Sequence, residues 1–214
     1  HFRTLRYSKS GLVRMISIFL FSLMLGPKMF VHKPTAVLHN VHPPFDFMVT
    51  FYAKLFRIKY VAEAWDLWPE NFIKFGLISE RNILIPIARL VERYMYSKAE
   101  SIVFTFAGGK KYLVDRGYTT KKFFSISTNN VYYVNNGIDL NAFRSNLNNE
   151  MTVDLDLDSN EHKKIIYVGA LNMLNNIKEL IQAGELLRNR DDILILIYGD
   201  GDYRAELIEY CTKN

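Results

Sequence analysis

The sequence VNNGID, residues 134–139, marks the point at which this chain is predicted to pass from one domain to the next. A β-branched and aromatic run at 131–134 leads into Asn-Asn-Gly, which is a strong turn signal. Phe143 and a polar, Asn-rich stretch follow, and a fresh strand pattern begins at Lys163. The pattern is typical of two α/β domains with a cleft between them, and such clefts bind ligands.

Strand and helix patterns alternate on both sides of this turn, which predicts an α/β fold with parallel sheets covered by helices on both faces. The predicted strands are 36–39, 59–64, 101–105, 123–126, 131–134, 164–168 and 193–198. The predicted helices are 12–25, 45–56, 83–97, 108–116, 177–188 and one from Tyr203, with Pro27 ending the first and Gly117 capping the fourth. We therefore predict a first domain over residues 1–147, a linker over 148–162 and the start of a second domain over 163–214.

The composition is that of a globular chain with a preference for acidic partners. Its 214 residues are 49% hydrophobic and 14% aromatic, with a net charge of +5 and a pI near 9.1. Such a balance favours phosphates or an anionic membrane face. Basic and aromatic residues are not interleaved on one element, so a nucleic-acid reader is not predicted. The single cysteine, Cys211, excludes an internal disulfide and fits a reducing, cytoplasmic compartment.

The N-terminal segment raises the question of membrane contact. Its apolar run, residues 12–25, is too short to span a bilayer, which takes about 20 residues. Two interpretations stay open: a half-buried helix that packs on a sheet, or a helix that lies on an anionic leaflet as a peripheral, inner-membrane-associated element. In the second case the head groups would contact basic residues at Arg3, Arg6, Lys9, Arg14, Lys28 and Lys33. Because the chain starts without Met or a first strand and stops within a helical pattern, we expect it to be part of a longer protein.

Two candidate catalytic residues follow predicted strands of the first domain, where parallel sheets bind their ligands. Asp66 comes directly after the second strand, flanked by tryptophans, and we assign it to catalysis rather than to capping the next helix. His42 follows the first strand and is either a phosphate or sugar contact or a helix-start residue bonded to the backbone. Glu70 is expected in the first turn of a helix.

Glycines follow both strands of the second domain. Glycine before a helix lets backbone N–H groups approach an anion, although it also serves tight turns. The predicted binding residues are Gly169, Asn172, Gly199, Asp200 and Gly201. The sequence has no dinucleotide fingerprint, P-loop, metal-ligand spacing or nucleophile elbow, so no metal site is predicted.

Five motifs extend over most of the chain in a fixed order. They are DLWPE at 66–70, GGKKYLVDRG at 108–117, NGID at 136–139 with Phe143, YVG at 167–169 and GDG at 199–201. In this order they resemble family 4 glycosyltransferases, and most closely the branch that builds bacterial capsule and O-antigen polysaccharides. DLWPE and the NNGID turn are fairly specific, whereas GDG is common.

The resemblance implies a GT-B fold of two Rossmann-like domains, both incomplete in this chain. It implies a retaining transferase that moves a sugar from a UDP- or GDP-linked donor to a lipid-linked or polysaccharide acceptor. No metal and no cofactor are implied, since the nucleotide sugar is a substrate. The second domain would hold the donor, with Gly169 and Asn172 beside the diphosphate and residues 199–201 beside the nucleotide. The first would hold the acceptor, near Asp66 and His42, while the departing diphosphate takes the acceptor proton.

The chain also departs from the family pattern. The Arg and Lys-Gly with which the family usually holds the diphosphate are replaced by Ala170, Asn175 and Asn176, with Lys178 slightly further on. The Glu-rich motif for the donor ribose and sugar would lie beyond Asn214, so we expect this chain alone to be inactive in transfer and the parent protein to be active. Two other functions stay open: a sugar-nucleotide epimerase of GT-B type, or a non-catalytic Rossmann-like module at the membrane.

Overall fold

The computed structural model describes residues 11–41, 45–120, 123–149, 154–158 and 161–213. The chain divides into two compact units, His1–Gly137 (unit 1) and Ile138–Asn214 (unit 2). The division falls inside VNNGID, ten residues before the end of the first domain predicted from sequence.

Unit 1 is built on a four-stranded parallel sheet in the order β1-β2-β3-β4. The elements in chain order are α1 (Gly11–His32), β1 (Ala36–Asn40), α2 (Phe47–Leu55), β2 (Lys59–Ala64), α3 (Glu70–Lys74), α4 (Leu84–Lys98), β3 (Ser101–Phe104), α5 (Gly109–Asp115), a 3-10 turn (Thr128–Asn130) and β4 (Val131–Tyr133). Strands next to each other in sequence are neighbours in the sheet, because a helical crossover joins each parallel pair. The predicted α/β class with parallel sheets is confirmed.

The core of unit 1 lies against one face of this sheet. Tyr60, Ala62 and Ala64 alternate on the buried face of β2, and Ala64 is in register with the buried Phe104 of β3. Helices α2, α4 and α5 cover this face with Ala53, Met95, Tyr96 and Leu113. On β1, Leu38 is 65% exposed. The described helices therefore do not cover the two faces of the sheet equally, whereas the sequence predicted that helices would cover both.

Helix α1 continues through Pro27 to His32, so the prediction that Pro27 ends it is wrong. An interior proline loses one helical hydrogen bond and crowds the preceding turn, at a cost of about 3 kcal/mol. Packing on both sides of the proline offsets this cost, because Met29 is buried in the core and Gly26 lies against the Tyr52 ring of α2. The helix is thus half-buried against α2, and no described helix combines the length and hydropathy needed to cross a bilayer.

The predicted strand at 123–126 is also wrong. Phe124 has a φ of +55°, which breaks an extended run, and the Ile126 amide donates to the Tyr118 carbonyl rather than to a strand. Ile126 is nevertheless buried, so the apolar signal came from a loop that turns back onto the core. Gly117 has a φ of +65°, which confirms it as the residue that ends α5.

Unit 2 contains a two-stranded parallel sheet of β5 and β6. Its elements are α6 (Leu140–Asn149), α7 (Leu155–Asp158), β5 (Lys163–Val168), a 3-10 turn (Met173–Asn175), α8 (Ile177–Leu186), β6 (Ile193–Tyr198) and α9 (Arg204–Lys213). A small core joins Leu171, Ile177 and Leu207. Helix α6 lies where the sequence indicated only a polar, Asn-rich stretch, and Asp139 caps it by accepting from the amides of Asn141 and Ala142.

Candidate functional site

The two loops that follow β5 and β6 lie side by side at the carboxyl ends of the strands. The Gly169 amide donates to the Tyr198 carbonyl at 3.0 Å, and the Leu171 amide donates to the Asp200 carbonyl at 2.9 Å. The Tyr203 amide then donates back to the Leu171 carbonyl at 3.0 Å. These bonds extend the parallel pairing beyond the strands, so the loops form one joined edge where open α/β sheets bind ligands.

The glycines of these loops are explained by close backbone approach. A Cβ at Gly199 would overlap the Gly169 carbonyl, and one at Gly201 would overlap the Leu171 carbonyl. The Gly169 amide is occupied by Tyr198, so it is not available to an anion. The residues that sequence analysis assigned to ligand binding are therefore brought together. The close contact between the two loops is sufficient to explain why glycine stands at 199 and 201.

The polar side chains of this edge are arranged by short-range hydrogen bonds. The Asn172 side-chain oxygen accepts from the Asn175 amide at 3.0 Å, and the Asn175 side chain donates to the Ala170 carbonyl at 2.8 Å. Asp200 accepts from the next amide, that of Gly201, at 2.9 Å. Asn172 and Asp200 thus hold the loops in shape in this structure.

Two basic residues lie at the helix starts beyond these loops. Arg204 is the first residue of α9 and its side chain is exposed. Lys178 lies in the first turn of α8, where its Nζ is 4.8 Å from the centroid of the Tyr210 ring. Sequence analysis did not single out Arg204, although its position three residues after GDG was visible.

The two predicted catalytic residues of unit 1 have different outcomes. Asp66 follows β2 as predicted, is exposed, and its Oδ1 accepts from the Asn71 side chain at 3.0 Å. It does not bond to a backbone amide at the start of α3, whose cap position is Pro69. His42 lies outside the described residues.

A second histidine, missed by sequence analysis, lies at the carboxyl end of β1. The His39 Nδ1 is 3.1 Å from the Tyr60 hydroxyl, and its Nε2 is 3.5 Å from Oδ2 of Asp46. Sequence analysis missed it because His39 stands inside a predicted strand, where a single histidine does not indicate a functional site. No set of three or more His, Cys, Asp or Glu within the described ranges is arranged to hold a metal ion.

Glu70, expected only in a helix first turn, is a buried carboxylate at the centre of an ion-pair cluster. It is the first residue of α3, and its carboxylate accepts from Arg89 at 2.9 and 3.4 Å. Arg116 pairs with the same carboxylate, and Arg89 also reaches Glu80 at 3.1 Å. The pairing with Glu70 raises the pKa of Arg89, so this guanidinium stays charged at all accessible pH values.

Glu92 of α4 is fully buried close to this cluster. Its carboxyl group is bonded to the hydroxyls of Tyr118 at 2.7 Å and Tyr112 at 2.9 Å. Burial raises the pKa of Glu92 to about 8, although the two hydroxyl contacts act in the opposite direction. At neutral pH the group is mostly a neutral acid, and the Tyr118 hydroxyl can then pass a hydrogen bond on to the Arg89 carbonyl, 3.3 Å away.

The comparisons with known proteins do not identify a family for this chain. No protein-family model matches the chain, and no curated protein matches it. The fold and the two sets of residues described above therefore carry the functional argument, together with the motifs that resemble a transferase family.

Proposed function

We propose that this chain belongs to a retaining glycosyltransferase of GT-B type, in which unit 2 holds a nucleotide-sugar donor and unit 1 holds the acceptor. The observation that carries the proposal is the joined edge formed by the loops after β5 and β6, because open parallel sheets bind nucleotides at this position. The ordered motifs DLWPE, NGID and GDG add the resemblance to family 4 transferases that act in cell-surface glycan synthesis.

On the donor side, the diphosphate would be held by the start of α8 and by a cation. Since the family's usual Arg and Lys-Gly have no counterpart here, Arg204 is the best-placed substitute: it is exposed and opens α9 directly after the β6 loop. A guanidinium pairs with phosphate oxygens through two N–H groups. The helix start of α8 adds a favourable dipole.

On the acceptor side, the carboxylate of Asp66 would orient an acceptor hydroxyl. Its position after β2 and its exposure leave the carboxylate open to a sugar, and the Asn71 contact fixes its direction. Such positioning, together with stabilisation of the departing diphosphate, is the protein's part in a transfer that uses no protein nucleophile.

Binding of a nucleoside diphosphate tests the donor assignment. We expect UDP or GDP to shift the amide NMR signals of residues 169–176 and 199–204 and to stabilise the chain, by about 2.7 kcal/mol at a hundredfold excess over Kd. Arg204→Met should weaken this binding by about tenfold or more, because a hydrogen bond to a charged group is lost. The matched control is Arg144→Met, an exposed arginine of the same unit.

A third variant separates donor binding from transfer. Asp66→Asn should leave the nucleotide affinity unchanged and lower turnover in protein expressed from the complete gene. If neither UDP nor GDP binds to that protein, the transferase proposal is refuted. Nucleotide binding with hydrolysis or epimerisation in place of transfer would favour the epimerase.

The outward face of α1 supports a second assignment, peripheral contact with an anionic membrane. Its apolar side chains are 38–71% exposed and form one stripe along the helix: Ile16, Phe19, Leu20, Leu23, Met24, Phe30 and Val31. Lys28 and Lys33 are exposed on the same helix end. An apolar stripe with neighbouring lysines fits a leaflet of anionic lipid.

Vesicle co-sedimentation tests this contact. We expect binding to vesicles of phosphatidylcholine with phosphatidylglycerol, and a loss of about tenfold or more for Phe30→Asp, which removes apolar area and adds like charge. Leu186→Asp is the matched control, since Leu186 is 88% exposed and lies in unit 2. Equal binding of the wild type and Phe30→Asp would exclude α1 as the contact. Vesicle binding without any nucleotide binding would favour the non-catalytic membrane module.

A further inference from the structure

Arg93 of α4 is a buried cation for which the described residues offer no counter-charge. Its exposed fraction is 9%, and its Nε has no hydrogen-bond partner. The Arg93 Cζ lies over the ring of Phe124, 5.8 Å from its centroid. A ring face stabilises a cation only in part, so a largely buried guanidinium gains from an anionic partner.

The neighbouring acids do not supply the missing charge. Glu70 is shared between Arg89 and Arg116, and Glu80 pairs with Arg89. Glu92 is bonded to two tyrosine hydroxyls and is mostly neutral at pH 7, because burial raises its pKa to about 8. The three arginines therefore carry more positive charge than the described acids around them neutralise.

These arginines line an open pocket of about 480 Å³ in unit 1. Its walls are Pro86, Arg89, Leu90, Arg93, Arg116 and Tyr118. The volume falls within the range of small-molecule sites, about 300–1,000 Å³, and exceeds the needs of a bare oxyanion. Pro86 and Leu90 give it an apolar side as well as a cationic one.

The apolar side continues outward along α4. Leu90, Ile87 and Ile83 follow one another at helical spacing and are 48%, 57% and 84% exposed. A ligand with its anion at the arginines could therefore extend its apolar part over this row without entering the core. This continuity favours an organic phosphate over a free ion.

We propose that this pocket binds the phosphate group of an organic molecule, with Arg93 as the principal anion ligand, Arg116 and Arg89 beside it, and Leu90 under the apolar part. The guanidinium fork of Arg93 lines the pocket and can offer two N–H donors to phosphate oxygens, and the phosphate supplies the counter-charge that the neighbouring acids lack. The phosphate comes either from a soluble phosphomonoester or from a lipid head group, and both present the same chemistry to the arginines.

This site is independent of the proposed transferase function. Its residues lie in unit 1, whereas the expected nucleotide contacts lie in unit 2. Failure of UDP and GDP to bind would leave the phosphate pocket standing, and failure of the pocket would leave the donor assignment standing.

Calorimetry with hexyl phosphate, inorganic phosphate and hexanol tests the proposal on the full chain. We expect hexyl phosphate to bind more tightly than inorganic phosphate, and hexanol not to bind. Arg93→Met keeps most of the side-chain volume, removes the charge, and should weaken hexyl phosphate binding by about tenfold or more. Arg93→Lys should retain part of the affinity. Arg144→Met, in unit 2, should bind like the wild type.

Leu90→Glu provides a second variant that does not disturb the buried residues. Leu90 is exposed, and a glutamate there lies three residues before Arg93, so its carboxylate would pair with the arginine and exclude the phosphate.

Vesicles that contain phosphatidic acid distinguish the two sources of the phosphate. Vesicle binding that Arg93→Met abolishes identifies a lipid head group, whereas hexyl phosphate binding without vesicle binding identifies a soluble ligand. Equal affinity of the wild type, Arg93→Met and Leu90→Glu for hexyl phosphate would overturn the proposal.

Discussion

Replacing Gly109 by alanine should lower the free energy of unfolding of unit 1 by about 3 kcal/mol, the upper part of the range for overpacked cores. A Cβ at Gly109 would overlap the Phe104 ring at its Cγ and both Cδ atoms, so the root of the side chain would have to move. Phe104 is 1% exposed and contacts the rings of Tyr96 and Phe106, whose centroids are 5.8 and 5.4 Å away. The ring therefore has no free space into which it can shift.

Gly108→Ala is the matched control for this variant. Gly108 directly precedes Gly109, yet a Cβ at Gly108 would meet its nearest neighbour, Cδ2 of Phe106, only at 4.0 Å. We expect a change of about 1 kcal/mol or less. Urea unfolding followed by tryptophan fluorescence measures both variants in unit 1, since Trp65 and Trp68 are the two tryptophans of the chain. Equal unfolding midpoints for the two variants would contradict the packing described for α5.

Glu92 should make unit 1 less stable as the pH rises from about 4.5 to about 8. The folded state holds the Glu92 proton more tightly than the unfolded state, because burial raises the pKa from 4.5 to about 8. The stabilisation is therefore complete below pH 4.5 and is lost as the pH passes through the folded value. Since one pH unit is worth about 1.4 kcal/mol, the total loss approaches about 5 kcal/mol at most.

Glu92→Gln isolates this effect from the other titrating groups. Glutamine keeps the shape of the neutral acid and has no proton to lose, so the stability of the variant should depend less on pH. We expect the difference between Glu92→Gln and the wild type to grow in favour of the variant as the pH rises. Glu100→Gln, at an exposed position in the same unit, should follow the wild type. Parallel curves for the wild type and Glu92→Gln, measured by urea unfolding from pH 5 to pH 8.5, would rule out a buried neutral acid.

Strands with continuous apolar or β-branched character were predictable from the sequence. The limits of β2 and β6 agree with the prediction residue for residue: β2 shows a period-two burial pattern, and β6 is a short apolar run between Asp192 and Gly199. Pro27 and the loop at 123–126 were mispredicted for a different reason. The helix through Pro27 depends on Tyr52 and Met29, and the φ of Phe124 depends on a loop that packs on Tyr118, so both are decided by tertiary contacts.

The candidate sites divide in the same way. Asp66 and the glycine loops were visible because parallel strands place their ligand-binding residues at one edge. The cluster around Glu70 and Glu92 was not visible, since the partners of these two carboxyl groups lie 19 to 46 residues away along the chain. The adjacent glutamate and arginine of α4 have the sequence pattern of exposed surface charges. Their burial becomes clear only in the fold, where the tyrosines of the following segment pack against the glutamate.

The joined loops after β5 and β6 also constrain how this protein can diversify. The carbonyls of Gly169 and Leu171 fill the space that side chains at 199 and 201 would need, so we expect substitutions at these two positions not to be tolerated. Arg204, three residues further on, is instead exposed. Under the proposed function, relatives that use different donors should differ at Arg204 while the two glycines stay the same, and that pattern of substitution would test whether Arg204 contacts the donor.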